Sequence, residues 1–223
     1  MNDLDQLQAL VALEGRRVLD IGCGRGDVVF GLARLGADAT GMEITEAQLA
    51  AAREADTGHE ATWVVGAAQE LPFDDATFDV VLFMKSLHHV PAAHMTPALA
   101  EARRVVRPGG HVYAAEPLLA GSFHELLALI EDESEVRGLA QRALADADAV
   151  GLRVAQVVEY DLTPTFADFD ALVAQIAGVD PQRAPVIAAN RDALEAAYER
   201  LAEVDPAGRH AFRQRMRAHL LVR

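Results

Sequence analysis

Three groups of residues have the types and spacing to do chemistry. The first is Val18-Leu19-Asp20-Ile21-Gly22-Cys23-Gly24-Arg25-Gly26. An apolar run that breaks into alternate glycines brings backbone close to a ligand, because glycine takes positive φ and has no Cβ to collide. A helix starting there presents unpaired N–H groups. The second is Glu43, at the end of the next apolar run, where a carboxylate accepts hydrogen bonds from ribose hydroxyls. The third is Ser86-Leu87-His88-His89-Val90 together with Glu116-Pro117. Two imidazoles and a carboxylate there are candidates to hold an acceptor or take its proton.

A dinucleotide site wants Gly-x-Gly-x-x-Gly, but the last position is Asp27 here. An acid facing a pyrophosphate at a helix start is unfavourable, so a ligand without phosphates suits the turn better. A metal is not expected: neighbouring histidines point apart, and no Cys/His/Asp cluster has ligand spacing.

Alternating strands and helices must position these groups. A first helix is predicted over 3–14, with Leu4, Leu7, Leu10 and Val11 on one stripe. Strands follow at 17–21, 37–42, 61–65, 78–84 and 111–115, with helices between, one reaching about 35, the next about 55, and one over 92–106. Thr45 and Gln48 form a capping-box pattern, and Pro108-Gly109-Gly110 stops the last of these helices. The order predicts an α/β fold with a doubly wound, mostly parallel sheet and the ligand at the carboxyl ends of its strands.

Beyond 116 the pattern is less regular. Ser122 and Glu125 form a second capping-box pattern for a helix to about 130. A helix over 136–150, a strand over 152–160, helices over 166–176 and 182–203 and a closing strand over 216–222 complete the chain. Residues 161–214 are too long for a simple connection. With 117–135 they are expected to form a helical lid or acceptor wall on a single 1–223 domain whose cofactor-binding core is 16–116. Asp180-Pro181 and Asp205-Pro206 read as N-cap and first-turn pairs. Phe123, Tyr160 and Phe166 are candidates for lining the acceptor pocket, with core packing as the competing reading.

The 223 residues carry a net charge of −14, which disfavours a nucleic-acid partner. The basic exception is the C-terminal stretch with Arg209, Arg213, Arg215, Arg217 and Arg223, read as a solvated element. No apolar run reaches the roughly eighteen residues a membrane span needs, and the first residues lack a signal-peptide pattern. The single cysteine, Cys23, fits a reducing cytoplasm.

Four motifs occur in order: the glycine turn at 18–26; Gly41-Met42-Glu43; Gly66-Ala67-Ala68-Gln69-Glu70-Leu71-Pro72-Phe73 followed by Phe78-Asp79-Val80-Val81; and Val105-Val106-Arg107-Pro108-Gly109-Gly110. Together they resemble the class I S-adenosylmethionine-dependent methyltransferases of the small-molecule type, over about residues 16–116. The resemblance implies a seven-stranded Rossmann-like sheet, S-adenosyl-L-methionine as cofactor and a small-molecule acceptor. It assigns Asp20, Gly22 and Gly24 to the methionine part, Glu43 to the ribose and Ile44 to the adenine face. It sets Ala68 and Gln69 at the adenine edge, and places Cys23 and Lys85 against the cofactor. The family usually has Asp at position 67, where this chain has Ala67. His88, His89 and Glu116 are the catalytic candidates. Two alternatives stay open: a cofactor-binding protein that transfers no methyl, and a methyltransferase acting on protein or RNA. The acceptor and the oligomeric state are not legible.

Overall fold

The computed structural model describes residues 2–58 and 61–223. The strands are β1 (Arg17–Ile21), β2 (Asp38–Glu43), β3 (Thr62–Val65), β4 (Phe78–Met84), β5 (Val106–Pro117), β6 (Arg153–Leu162), β7 (Thr165–Phe166), β8 (Glu203–Val204), β9 (His210–Ala211) and β10 (Gln214–Val222). The helices are α1 (Asp3–Gln8), α2 (Asp27–Arg34), α3 (Glu46–Ala55), α4 (Ala92–Val105), α5 (Ser122–Leu127), α6 (Ser134–Ala145), α7 (Phe169–Val179), α8 (Ala184–Ala189) and α9 (Arg191–Leu201). Seven strands form one sheet in the order β3-β2-β1-β4-β5-β10-β6. β1 pairs in parallel with β2 and β4, β2 with β3, and β4 with β5. Order and direction agree with the doubly wound, mostly parallel expectation.

The chain divides into two compact units. One comprises Met1–Glu116, Val136–Glu159 and Arg217–Arg223; the other comprises Pro117–Glu135 and Tyr160–Met216. In the first, β4 is buried at every position except Asp79, as a central strand covered on both faces must be. Leu19, Val81, Phe83, Leu99, Val112 and Leu144 meet in its core, each worth about 1.5–3 kcal/mol of burial. In the second, Phe166, Phe169, Leu172, Leu194, Tyr198 and Phe212 form a separate core, and β7, β9 and β8 form an antiparallel sheet.

Several local expectations are corrected. α1 ends at Gln8, six residues before the predicted stop at 14, although its Asn2–Asp5 capping box is complete. β5 does not begin after Pro108-Gly109-Gly110 but runs through it from Val106, with a shifted register opposite β4. The glycines permit this: Gly109 has φ +74°, and a Cβ on Gly110 would lie 2.7 Å from the Asp79 carbonyl oxygen. The predicted helix over 182–203 breaks at Asn190, whose side chain donates to the Val186 carbonyl and separates α8 from α9. Gly121, not Ser122, caps α5; the Ser122 hydroxyl instead accepts from the Arg213 backbone N–H. Asp180 does start a helical turn, its carboxylate accepting from the Gln182 N–H. Asp205 starts none; its Oδ1 accepts from the N–H groups of Ala207 and Arg209 in the turn joining β8 to β9. The small β7-β9-β8 sheet was not foreseen, because two-residue strands have no measurable period.

Candidate functional site

The candidate site is built at the carboxyl ends of β1, β2 and β4, entirely within the first unit. After β1 the glycine turn crosses the end of β2, where Gly22 and Cys23 both donate their N–H groups to the Met42 carbonyl at 2.8 and 3.1 Å. Gly22, Gly24 and Gly26 have φ of +75°, +55° and +85°. A Cβ on Gly22 would lie 2.7 Å from Ser86 Cβ, so the turn needs glycine for space as well as for φ. Ser86 secures the same approach from the β4 side, donating its hydroxyl to the Ile21 carbonyl at 2.5 Å.

Asp20, next to last in β1, has only 1% of its surface exposed. Its Oδ1 has no hydrogen-bond partner among the described residues. Burial pushes its pKa from 3.8 up to about 8; neighbouring Glu43 adds to the rise and Lys85 opposes it. An unsatisfied buried carboxylate is costly, and a cationic ligand would relieve that cost. Glu43 is nearly buried at the end of β2. Its Oε1 accepts from the Gly24 N–H at 2.9 Å and its Oε2 from the Ile44 N–H at 3.0 Å. One carboxylate therefore fixes the glycine turn and the β2–α3 junction, and a carboxylate has further lone pairs for hydroxyls. Ile44, by contrast, is 61% exposed, an apolar surface at the place where the resemblance puts the adenine.

The loop after β3 joins this site through the Gly66 N–H, which donates to the Glu43 carbonyl at 2.9 Å. Ala68 packs against the core and Gln69 is half-buried. The Ala67 carbonyl is used locally by the Glu70 N–H. Glu101 and Arg104 on α4 hold the loop: Glu101 accepts from the Leu71 N–H, and Arg104 donates to the Leu71 and Phe73 carbonyls at 3.0 and 2.8 Å. The sequence reading missed this pair, although an acid and an arginine three apart on one helix face were a visible signal.

Trp63 was missed as well. A Cβ on Gly41 would lie 2.5 Å from its ring and one on Gly26 equally close. Its Nε1 donates to Asp56 at 2.9 Å. The indole thus explains why two of the motif glycines stand where they do. Cys23, a cofactor candidate, is buried with its sulfur towards Gly41. Burial and the nearby Asp20 and Glu43 carboxylates push its thiol pKa up, so its side chain packs rather than reacts.

Lys85 follows β4 with φ +58°, uncommon for a residue with a Cβ. Its backbone N–H donates to the Ala115 carbonyl, and its Nζ pairs with Asp3 of α1 at 2.6 Å. Residues Leu87–His89 then form a single 3₁₀ turn. That turn overrides the expectation that the two histidines point apart: their ring centroids are 4.0 Å apart. His88 is 5% exposed and Glu116, at the end of β5, is 0% exposed. Glu116 accepts from the Leu87 N–H at 2.8 Å through Oε1 and pairs with His88 Nδ1 through Oε2. With Nδ1–H donated to Glu116, a neutral imidazole keeps Nε2 as its acceptor. Both Glu116 oxygens are engaged, so Glu116 orients His88. His89 is exposed.

The aromatic candidates belong to the second unit. Phe123 and Phe166 belong to the second unit's core beside Phe212, with ring centroids 6.0–6.2 Å apart, and Tyr160 is buried. The C-terminal arginines are engaged rather than simply solvated. Arg209 pairs with Asp205, Arg213 and Arg215 with Asp161, and Arg217 with Glu159, while Arg223 donates to the Arg104 and Val106 carbonyls. Among the described residues no helix is long and apolar enough to cross a membrane.

Residues 19–114 match the family described as "Methyltransferase domain". The 27-O-demethylrifamycin SV methyltransferase of Amycolatopsis mediterranei is 37% identical over 138 residues, covering 59% of this chain and 50% of that protein. A ubiquinone biosynthesis O-methyltransferase of Alkalilimnicola ehrlichii is 39% identical over 111 residues, 47% of this chain and 43% of that one. The chain thus spans about half the length of these relatives. The solved YcgJ protein of Bacillus subtilis superposes with a TM-score of 0.63 at 21% identity, covering 97% of this chain and 96% of its own, a likeness of fold.

Proposed function

We propose that this chain, whose residues 19–114 match the family described as "Methyltransferase domain", moves the methyl group of S-adenosylmethionine onto a small-molecule acceptor by in-line displacement. The observation that carries the reading is Asp20: a buried carboxylate with an unpartnered oxygen beside a glycine turn, the chemistry that receives the amino-acid ammonium of the cofactor. Glycine turn, Glu43 and exposed Ile44 fit the rest of that molecule. Gly22 and Gly24 admit the methionine part, Glu43 takes the ribose hydroxyls, and Ile44 covers one adenine face. Ala68 and Gln69 serve the adenine edge in place of the aspartate usual at position 67. Lys85 stands at the methionine end.

The bound cofactor supplies an electrophilic methyl on a sulfonium. The protein orients it against the acceptor and excludes water. His88 takes the acceptor's proton at Nε2, and Glu116 holds the tautomer that leaves Nε2 free to accept. His89 lines the approach. A proton-taking dyad suits a hydroxyl acceptor, and both relatives named above are O-methyltransferases by name or act at a numbered oxygen. We further propose that residues 117–135 and 161–214 supply the acceptor wall, since the chain enters that unit directly after Glu116, and that the protein works in the cytoplasm.

Calorimetry against S-adenosylmethionine and NAD, then an acceptor screen with labelled cofactor, tests this. Binding of S-adenosylmethionine alone and label transfer to a small hydroxylated acceptor are expected. NAD binding in its place ends the cofactor assignment; cofactor binding without transfer to any acceptor favours the non-catalytic alternative. Once an acceptor is known, His88→Ala should lower turnover by about 10²–10⁴-fold with little change in cofactor affinity, and Glu116→Gln should lower it less.

A further inference from the structure

β6 is the outermost strand of the seven-stranded sheet, so among the described residues one of its sides has no strand neighbour in that sheet. Long edge strands are usually blunted by proline, lysine or a bulge, because their outward N–H and C=O groups template pairing with another chain. β6 spans Arg153–Leu162 and contains neither proline nor lysine. Arg153, Ala155, Gln156, Val157 and Glu159 along it are exposed, and Val157 is among the most exposed large apolar residues of the chain.

We propose that β6 is a homodimer interface, pairing antiparallel with β6 of a second copy about a two-fold axis through Gln156 and perpendicular to the sheet. The argument for a second copy is charge complementarity. In this register Arg153 lies opposite the partner's Glu159, Val154 opposite the partner's Val158, and Ala155 opposite the partner's Val157. The two-fold repeats each pair, so the segment 153–159 is complementary to itself, as an isologous contact requires. Neighbouring registers that keep the same faces lose this. One sets Arg153 against the partner's Val157. The other sets Glu159 against the partner's Ala155, which gives that carboxylate no cation across the seam, and moves Arg153 to the partner's Asp161, which two arginines of its own chain, Arg213 and Arg215, hold, against one, Arg217, on Glu159. Glu159 accepts from Arg217 at 2.7 Å on its own chain. A carboxylate accepts from more than one donor, so Arg217 holds it in place for the partner's Arg153.

The test needs no ligand: analytical ultracentrifugation of the full chain over a concentration series. A reversible dimer is expected, and Arg153→Glu should weaken it by ~10-fold or more, since the two-fold doubles every cross-strand change. Arg153→Glu combined with Glu159→Arg restores opposite charges and should restore association. Hydrogen exchange of the unmodified protein gives a readout that needs no variant: amides within 153–159 should gain protection as concentration rises. A chain that stays monomeric at every concentration overturns the proposal. So does a dimer indifferent to Arg153→Glu whose 153–159 amides exchange alike in dilute and concentrated samples, because that dimer uses another surface.

Discussion

Replacing Asp20 by asparagine should make the empty protein more stable at neutral pH while weakening its affinity for the cofactor. In the folded chain burial holds the Asp20 carboxyl at a pKa of about 8, against 3.8 ordinarily. Between those values the unfolded chain releases a proton that the folded chain keeps, so stability falls as pH rises across the window. From 3.8 to pH 7 is about three pH units at ~1.4 kcal/mol each, or roughly 4 kcal/mol at most. The asparagine amide would not titrate, but burying it costs about 1–3 kcal/mol. The net gain at pH 7 is therefore about 1–3 kcal/mol, increasing towards pH 8 and lost near pH 4. Loss of a charge-assisted bond of about 1.5–3 kcal/mol should weaken S-adenosylmethionine binding by ~10-fold or more. The assay is denaturant unfolding of both proteins without cofactor from pH 4 to 8, with calorimetry at pH 7. A stability difference that does not change with pH would refute the assignment of a neutral, buried Asp20.

Three further outcomes follow from the same geometry. Cofactor binding should release protons at pH 6.5, because an ammonium ligand favours the ionised Asp20; calorimetry in buffers of different ionisation heat reads this directly. Glu43→Ala should weaken cofactor binding by at least ~10-fold and also lower stability by about 1–3 kcal/mol, since the Gly24 and Ile44 N–H groups lose their acceptor; a calorimetric constant and a melting curve check the two effects separately. Arg104→Ala should weaken cofactor binding without touching the ligand, because the Leu71 and Phe73 carbonyls lose the donor that holds their loop; unchanged affinity would show that the loop keeps its shape alone.

The alternation of strands and helices to residue 116, the glycine turn and the acid at the end of β2 were legible in the sequence. Each is a local signal: an apolar run of strand length, glycines where backbone must come close, a cap at Thr45 whose hydroxyl accepts from the Gln48 N–H. Nothing local distinguished His88 from His89. That difference arose when a 3₁₀ turn buried one ring against Glu116, 28 residues on, and left the other exposed. Glu116, a candidate base by sequence, has both its oxygens engaged by that same 3₁₀ turn after β4. The break at Asn190 and the three short strands of the second unit depend on contacts between distant segments, which no periodicity carries. Sequence alone determined the order of elements to residue 116 and the glycine turn after β1, since those follow from each residue's own backbone preference. Tertiary structure decided which side chain was buried beside which, and with it the proton affinity of Asp20 and the partner of His88.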